Sequence, residues 1–170
     1  MPAGLKQTSA TIAIGFNATE TAANTFTQSQ HDLNLSPLDR EVFVVLGVNL
    51  DPYSPDCVSG TNTAVLASLT TTSQTDVAQL SNANCLAVAI NEIKMDAGGQ
   101  DGAVFQTLGL ETPPAQLDYI GIVATNDFFV QVKGQNNTVP RQVNGKMYGY
   151  RARATADIYA ALVQSEVLSA

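Results

Sequence analysis

Tryptophan is absent from this 170-residue chain, histidine occurs once and cysteine twice. Each scarcity excludes a class of function. Without tryptophan, and with aromatics at 6 %, the stacking platforms usual in sugar-processing sites are missing, so a glycosidase built on two scattered carboxylates has nothing to lean on. A Ser–His–Asp or Cys–His centre would have to use His31. That residue lies in a polar stretch, and no G-x-S-x-G surrounds a serine. No catalytic residue is therefore expected, and His31→Ala should be silent. A histidine-rich metal site is excluded outright. Cys57 and Cys85 form no C-x-x-C and have no histidine nearby, which removes the common zinc spacings. They fit either a disulfide or two buried free thiols.

Positive charge is scarce as well, with 8 basic against 15 acidic residues and a net charge of −7. Binding a phosphate backbone needs clustered Lys and Arg, and the first forty residues hold only Lys6 and Arg40. A polybasic arm is ruled out, and no sequence-specific nucleic-acid binding is expected. Half of the basic charge falls on Arg141, Lys146, Arg151 and Arg153. On a strand, Arg151 and Arg153 share a face. They are read as pairing with carboxylates of this chain, or of a neighbouring copy at a subunit interface. Long apolar runs are missing too: nothing approaches the roughly 18 residues of a membrane-spanning helix. The opening Met-Pro-Ala-Gly-Leu-Lys has no apolar core of signal-peptide length, so neither an anchor nor an export segment is expected.

What the chain does have is neutral polarity. Charged residues make up 14 %, well under the roughly 25 % usual for a soluble domain. Ser, Thr, Asn and Gln contribute 51 residues, or 30 % of the chain, beside 45 % hydrophobic residues. Surfaces of hydroxyls and amides can pack against copies of themselves without desolvating many charges, which would be costly. The composition points to an assembling β-protein.

Period-two patterning runs through the sequence. Residues 8–16 place Ile12, Ile14 and Phe16 on one face, and Asn24 to Leu35 makes a polar second strand ending in Leu33 and Leu35. After the turn at Ser36-Pro37-Leu38-Asp39, the apolar run from Glu41 to Leu50 reads as a strand buried on both faces. Pro52 and Pro55 end it, because proline donates nothing to a ladder. Thr61 to Thr72 alternates Val65, Ala67 and Leu69 with polar positions, as a half-buried strand does. The alanines near 76–83 favour a helical turn before a strand over 86–90. A flexible loop at Asp96–Gly102 and a break at Thr112-Pro113-Pro114 follow. Leu117 to Ala124 and Phe128 to Lys133 form two strands joined by a hairpin turn at Thr125-Asn126-Asp127, and Gly134–Asn137 turns into a long last strand, Val143 to Ala154. The core expected from these strands is Phe43, Val45, Ile120, Ile122, Phe129 and Met147. Thr155 is placed as N-cap of an amphipathic helix at 156–168 with Ile158, Leu162 and Val163 inward. About eight evenly spaced strands and one late helix give an all-β fold, an antiparallel sandwich or jelly roll forming a single domain over 1–170.

Three features invite a chemical reading. Gly98, Gly99 and Gly102 lack the Walker lysine and the G-x-G-x-x-G order, and Asp96 and Asp101 would repel a phosphate, so they are turn glycines. No cofactor is expected. Calcium is the one ion whose preference for hard oxygens suits the acidic loops, with Asp51 and Asp56, or Asp96 and Asp101, as candidates, though neither pair has EF-hand spacing. Asn17-Ala18-Thr19 and Asn136-Asn137-Thr138 match the glycosylation sequon, as chance predicts in a chain this rich in Asn and Thr.

Three segments resemble small β-barrel coat proteins of tailless aquatic viruses. They are Glu41-Val42-Phe43-Val44-Val45, then Leu117-Asp118-Tyr119-Ile120 leading to Asp127-Phe128-Phe129-Val130, and the Tyr/Arg-rich Lys146 to Ala154. Together they cover about a third of the chain. The resemblance implies a jelly-roll capsid subunit that self-assembles into a shell in the virion, a homo-oligomer that accepts a second virion protein. The missing basic arm fits a shell filled by a motor or separated from its genome. Three other readings stay open: a virion decoration or spike protein, a carbohydrate-binding or adhesion β-sandwich module, and a small hydrolase. The first is told apart by assembly, the second by glycan binding and the third by turnover.

Overall fold

The computed structural model describes residues 4–96, 98, 101–107 and 117–169. Within them lie ten strands: β1 Leu5–Gln7, β2 Ile12–Thr19, β3 Thr27–Asp32, β4 Glu41–Pro52, β5 Thr63–Thr70, β6 Cys85–Met95, β7 Gly102–Thr107, β8 Gly121–Val123, β9 Asp127–Gln135 and β10 Gln142–Ala154. A helix, α1, follows at Ala156–Leu168. One sheet runs β2-β10-β4-β8, with β1 beside the far end of β10; the other runs β3-β9-β5-β6-β7. Every pairing is antiparallel.

The pairing follows one rule. β2 pairs β10, β3 pairs β9, β4 pairs β8 and β5 pairs β6. The chain is thus a single long antiparallel ribbon, folded back at the β5–β6 connection and rolled so that successive ribbon segments alternate between sheets. That winding is the jelly roll. The inter-sheet core holds Phe16, Phe43, Leu69, Phe128, Val130 and Met147.

Helix α1 makes a third layer. Ile158, Tyr159, Leu162 and Val163 pack on the outer face of the first sheet, against Val42, Val44, Tyr150 and Ala152. This is why Val42 to Val45 is apolar at every position: alternate side chains face the inter-sheet core and the helix. A bulge then resets the alternation. Gly47 pairs Tyr148 but Val45 pairs Gly149, leaving Leu46 without a partner opposite it. The extra residue lets Phe43 and Val45, then Val48 and Leu50, all point inward. Gly149 sits under the Phe43 ring, where an added Cβ would come within 2.5 Å of the ring and 2.3 Å of the Val44 carbonyl oxygen. Only glycine allows that approach.

The structure corrects several expectations. Residues 76–83 form no helix; they are turns and bends that cover the outer face of the second sheet, so β5 is buried on both sides rather than half-buried. No strand is expected between the loop at Asp96–Gly102 and Thr112, yet β7 runs from the last residue of that loop, Gly102, to Thr107. Of Leu117–Ala124 only Gly121–Val123 is strand, and Leu117 and Tyr119 are exposed. Thr125-Asn126-Asp127 is not a hairpin turn, because β8 and β9 lie in different sheets and the segment arches between them. The phase of β9 is therefore the opposite of the one expected. Phe128 is fully buried at 0 % exposure, while Phe129 is half-buried, as are Ile120 and Ile122. Phe43, Val45 and Met147 are buried as expected. The first strand is displaced as well: Phe16 is buried and Ile12 is exposed at the sheet edge. Thr112-Pro113-Pro114 lies outside the described residues.

Candidate interaction surfaces

Among the described residues, no three His, Cys, Asp or Glu side chains gather as a metal cluster. Of the four aspartates considered for calcium, Asp56 and Asp96 use their carboxylates in contacts within the chain. Asp56 accepts bonds from the Thr138 N–H (2.7 Å) and hydroxyl (2.6 Å) and is paired with the Arg141 guanidinium. It pins the loop after β4 to the β9–β10 connection. Asp51 is exposed on β4, opposite Asn144. Asp96 and Asp101 close the β6–β7 connection on each other: the Asp96 N–H donates to the Asp101 carbonyl (2.8 Å), and the Asp101 N–H to the Asp96 carboxylate (3.3 Å). Both cysteines are free thiols, Cys57 exposed and Cys85 half-buried. Burial pushes the Cys85 thiol up.

His31 belongs to the packing. On β3 its ring stacks on Phe128 at 5.1 Å between centroids and tilts against Phe16 at 5.9 Å. Its Nε2 is buried without a partner. Desolvation lowers its pKa, a hydrogen bond with the Asn17 backbone opposing the shift. The expected silence of His31→Ala therefore gives way to a loss of packing.

Two buried polar arrangements went unread in the sequence. Gln131, fully buried on β9, accepts from Ser68 Oγ (2.7 Å) and donates to Thr70 Oγ1 (2.7 Å) and Gln28 Oε1 (3.0 Å). Ser68 Oγ in turn accepts the Ala78 N–H, and Gln28 Oε1 the Gln74 N–H. This network fastens the 71–84 segment over the second sheet. Glu166 on α1, only 7 % exposed, accepts the N–H groups of Ala124 (3.0 Å) and Thr125 (2.9 Å) and so latches the helix onto the β8–β9 arch. Burial raises its pKa, and those hydrogen bonds limit the rise.

The two arginines of β10 divide their roles. Arg151 donates to the carbonyls of Leu33 (2.9 Å) and Asn34 (3.0 Å) and approaches Glu41 at 3.4 Å. It stitches the β3–β4 connection to β10 within the chain. Arg153 pairs Asp39 at 3.0 Å, with both side chains more than half exposed.

The open surface is apolar and uncharged at one sheet edge. β7, Gly-Ala-Val-Phe-Gln-Thr, is exposed along its whole length, with Val104 and Phe105 at 73 % and 51 %. It is the outermost strand of its sheet among the described residues, and it carries none of the lysine, proline or inward charge that usually blunts a strand edge. No helix among the described residues is long and apolar enough to cross a membrane.

No protein-family model and no curated protein sequence matches the chain. A solved structure named for Desmodium yellow mottle tymovirus superposes over 92 % of this chain and 95 % of that one, at 11 % identity and a TM-score of 0.32. A superposition at that score assigns neither family nor function. The jelly-roll assignment rests on the strand order alone.

Proposed function

We propose that the protein is a virion shell subunit whose copies associate through neutral, partly apolar surfaces. The observation that carries the reading is the uncharged, exposed β7 edge on an eight-strand jelly-roll frame. Such frames serve as viral capsid units and also as lectins and cupins, so the step from fold to role is one of analogy. Composition favours the shell: low charge lowers the desolvation cost of broad contacts. It also disfavours a sugar-binding module, given the absent tryptophan. Of the two arginines first assigned to a subunit interface, Arg151 is engaged within its own chain. The exposed Arg153–Asp39 pair is free to exchange partners across a contact, as rim charges that set register do.

Electron microscopy and sedimentation of the purified protein test this. Closed particles or large oligomers are expected, and Phe105→Lys should leave a monomer with an unchanged β spectrum. Wild type that remains monomeric at high concentration overturns the proposal. A fixed small oligomer that joins only a preformed shell transfers it to a decoration protein.

A further inference from the structure

Lys6 and Arg40 are the isolated cations of the first forty residues, and the fold brings both to one place. With Arg153 they line a depression of about 470 Å³ beside Thr155 and Ala156, at the start of α1. Lys6 lies directly opposite Arg153 in the β1–β10 ladder. Like charges facing each other across strands repel, in a chain whose net charge is −7 and whose cations therefore have no shortage of partners. Yet Lys6 and Arg40 have no ion pair or side-chain hydrogen bond among the described residues. The nearby carboxylates are engaged, Asp39 with Arg153 and Glu41 with Arg151 and the Ser36 N–H. Asp157, the acid in the first turn of α1, is not among the residues that line the depression.

Two further features aim at the same space. Arg40 has left-handed backbone angles, φ 53° and ψ 41°, a conformation that favours glycine. Its carbonyl accepts the Ala154 N–H (3.0 Å), which fixes it against β10 at the rim. The Thr155 hydroxyl makes no capping bond, so the partial positive charge at the start of this 13-residue helix is left without a side-chain cap.

We infer that this depression binds a phosphate group between Lys6, Arg40 and Arg153. Arg153 already has Asp39, so two uncompensated positive charges remain, and a phosphate dianion balances them where a single carboxylate does not. Such a ligand also converts the Lys6–Arg153 repulsion into a shared attraction. The site is independent of the shell reading and stands or falls without it.

Thermal unfolding and backbone-amide NMR of the full chain test it, with inorganic phosphate titrated at constant ionic strength. Phosphate at ten times its dissociation constant should raise Tm by about 3–6 °C, with saturable shifts at Ala156 and Asp157. Acetate at matched ionic strength should give less than half that rise. Arg40→Gly suits the left-handed backbone and so folds at least as well as wild type; it and Lys6→Gln should each lose at least half of the phosphate response. A short oligothymidylate in place of phosphate separates the sources: tighter binding marks a phosphodiester chain, weaker binding a free ion. Equal responses to acetate and phosphate, an undiminished response in Arg40→Gly, or NMR shifts away from the start of α1 would each overturn the inference.

Discussion

Individual side chains here often do more than their type suggests. Phe128 and Phe129 are neighbours with opposite fates. Phe128→Ala should cost about 3–5 kcal/mol of unfolding free energy, and Phe129→Ala about 1 kcal/mol or less, because its ring is only half-buried. Urea denaturation of both variants checks the assignment of faces. The arginines of β10 should separate in the same assay. Arg151→Ala leaves two carbonyls without their donor and should cost about 1–3 kcal/mol; Arg153→Ala, in an exposed pair, should cost less than about 1 kcal/mol. His31 sets an acid response. Its folded pKa lies below the unfolded value of 6.5, so the unfolded chain binds the proton more readily. Stability should decline as pH falls through 6.5 and level off below the folded pKa. In His31→Phe that part of the pH dependence should vanish, and an unchanged profile between pH 7.5 and 5.5 would remove His31 from the account.

At the scale of elements, α1 and the β8–β9 arch form a coupled unit through Glu166. Replacing it by Ala leaves two N–H groups without an acceptor and should destabilise the protein by about 1–3 kcal/mol. Its pH dependence has the opposite sign to that of His31. The folded pKa is raised, so the folded state holds the proton more tightly, and this contribution grows as pH falls through the raised value and is lost as pH rises through it. The stability difference between wild type and Glu166→Gln should therefore widen in favour of wild type on going from pH 7 to pH 4.5, measured by denaturation at each pH. Strand β10 holds the second element-scale constraint. Gly149→Ala would press a methyl group into the Phe43 ring and the Val44 carbonyl; a loss of about 1–3 kcal/mol is expected, read as a lower midpoint in urea.

For the whole molecule, association and net charge oppose each other. Copies carrying −7 each repel at long range, and that repulsion is screened over about 10 Å at 0.1 M salt. The contacts proposed for the neutral β7 edge would be short-ranged and lose little to salt. Assembly of wild type should therefore strengthen between about 0.05 and 0.5 M sodium chloride, followed by sedimentation. Weaker assembly at the higher salt would place ion pairs, not the apolar edge, at the dominant contact.

The sequence by itself determined the elements whose signal is local. Alternation over β5 and β10, the apolar run of β4 and the helix that starts after Thr155 are legible because period and punctuation act over a few residues. The antiparallel sandwich with one late helix follows from their rhythm. What the sequence left undecided depends on which surface each strand meets. The phase of β9 was misread because Phe128 and Phe129 are chemically alike, and only the arch from β8 into the opposite sheet says which one faces the core. Residues 76–83 have helical composition, yet the polar network around Gln131 holds them in turns and bends over the second sheet, a case of tertiary contacts overriding propensity. Lys6, Arg40 and Arg153 are far apart in the chain, and nothing in their spacing brings them together. The β1–β10 ladder sets Lys6 opposite Arg153, and the turn at Arg40, bonded to Ala154, brings the third charge beside them, because a rolled ribbon lays segments distant in the chain side by side.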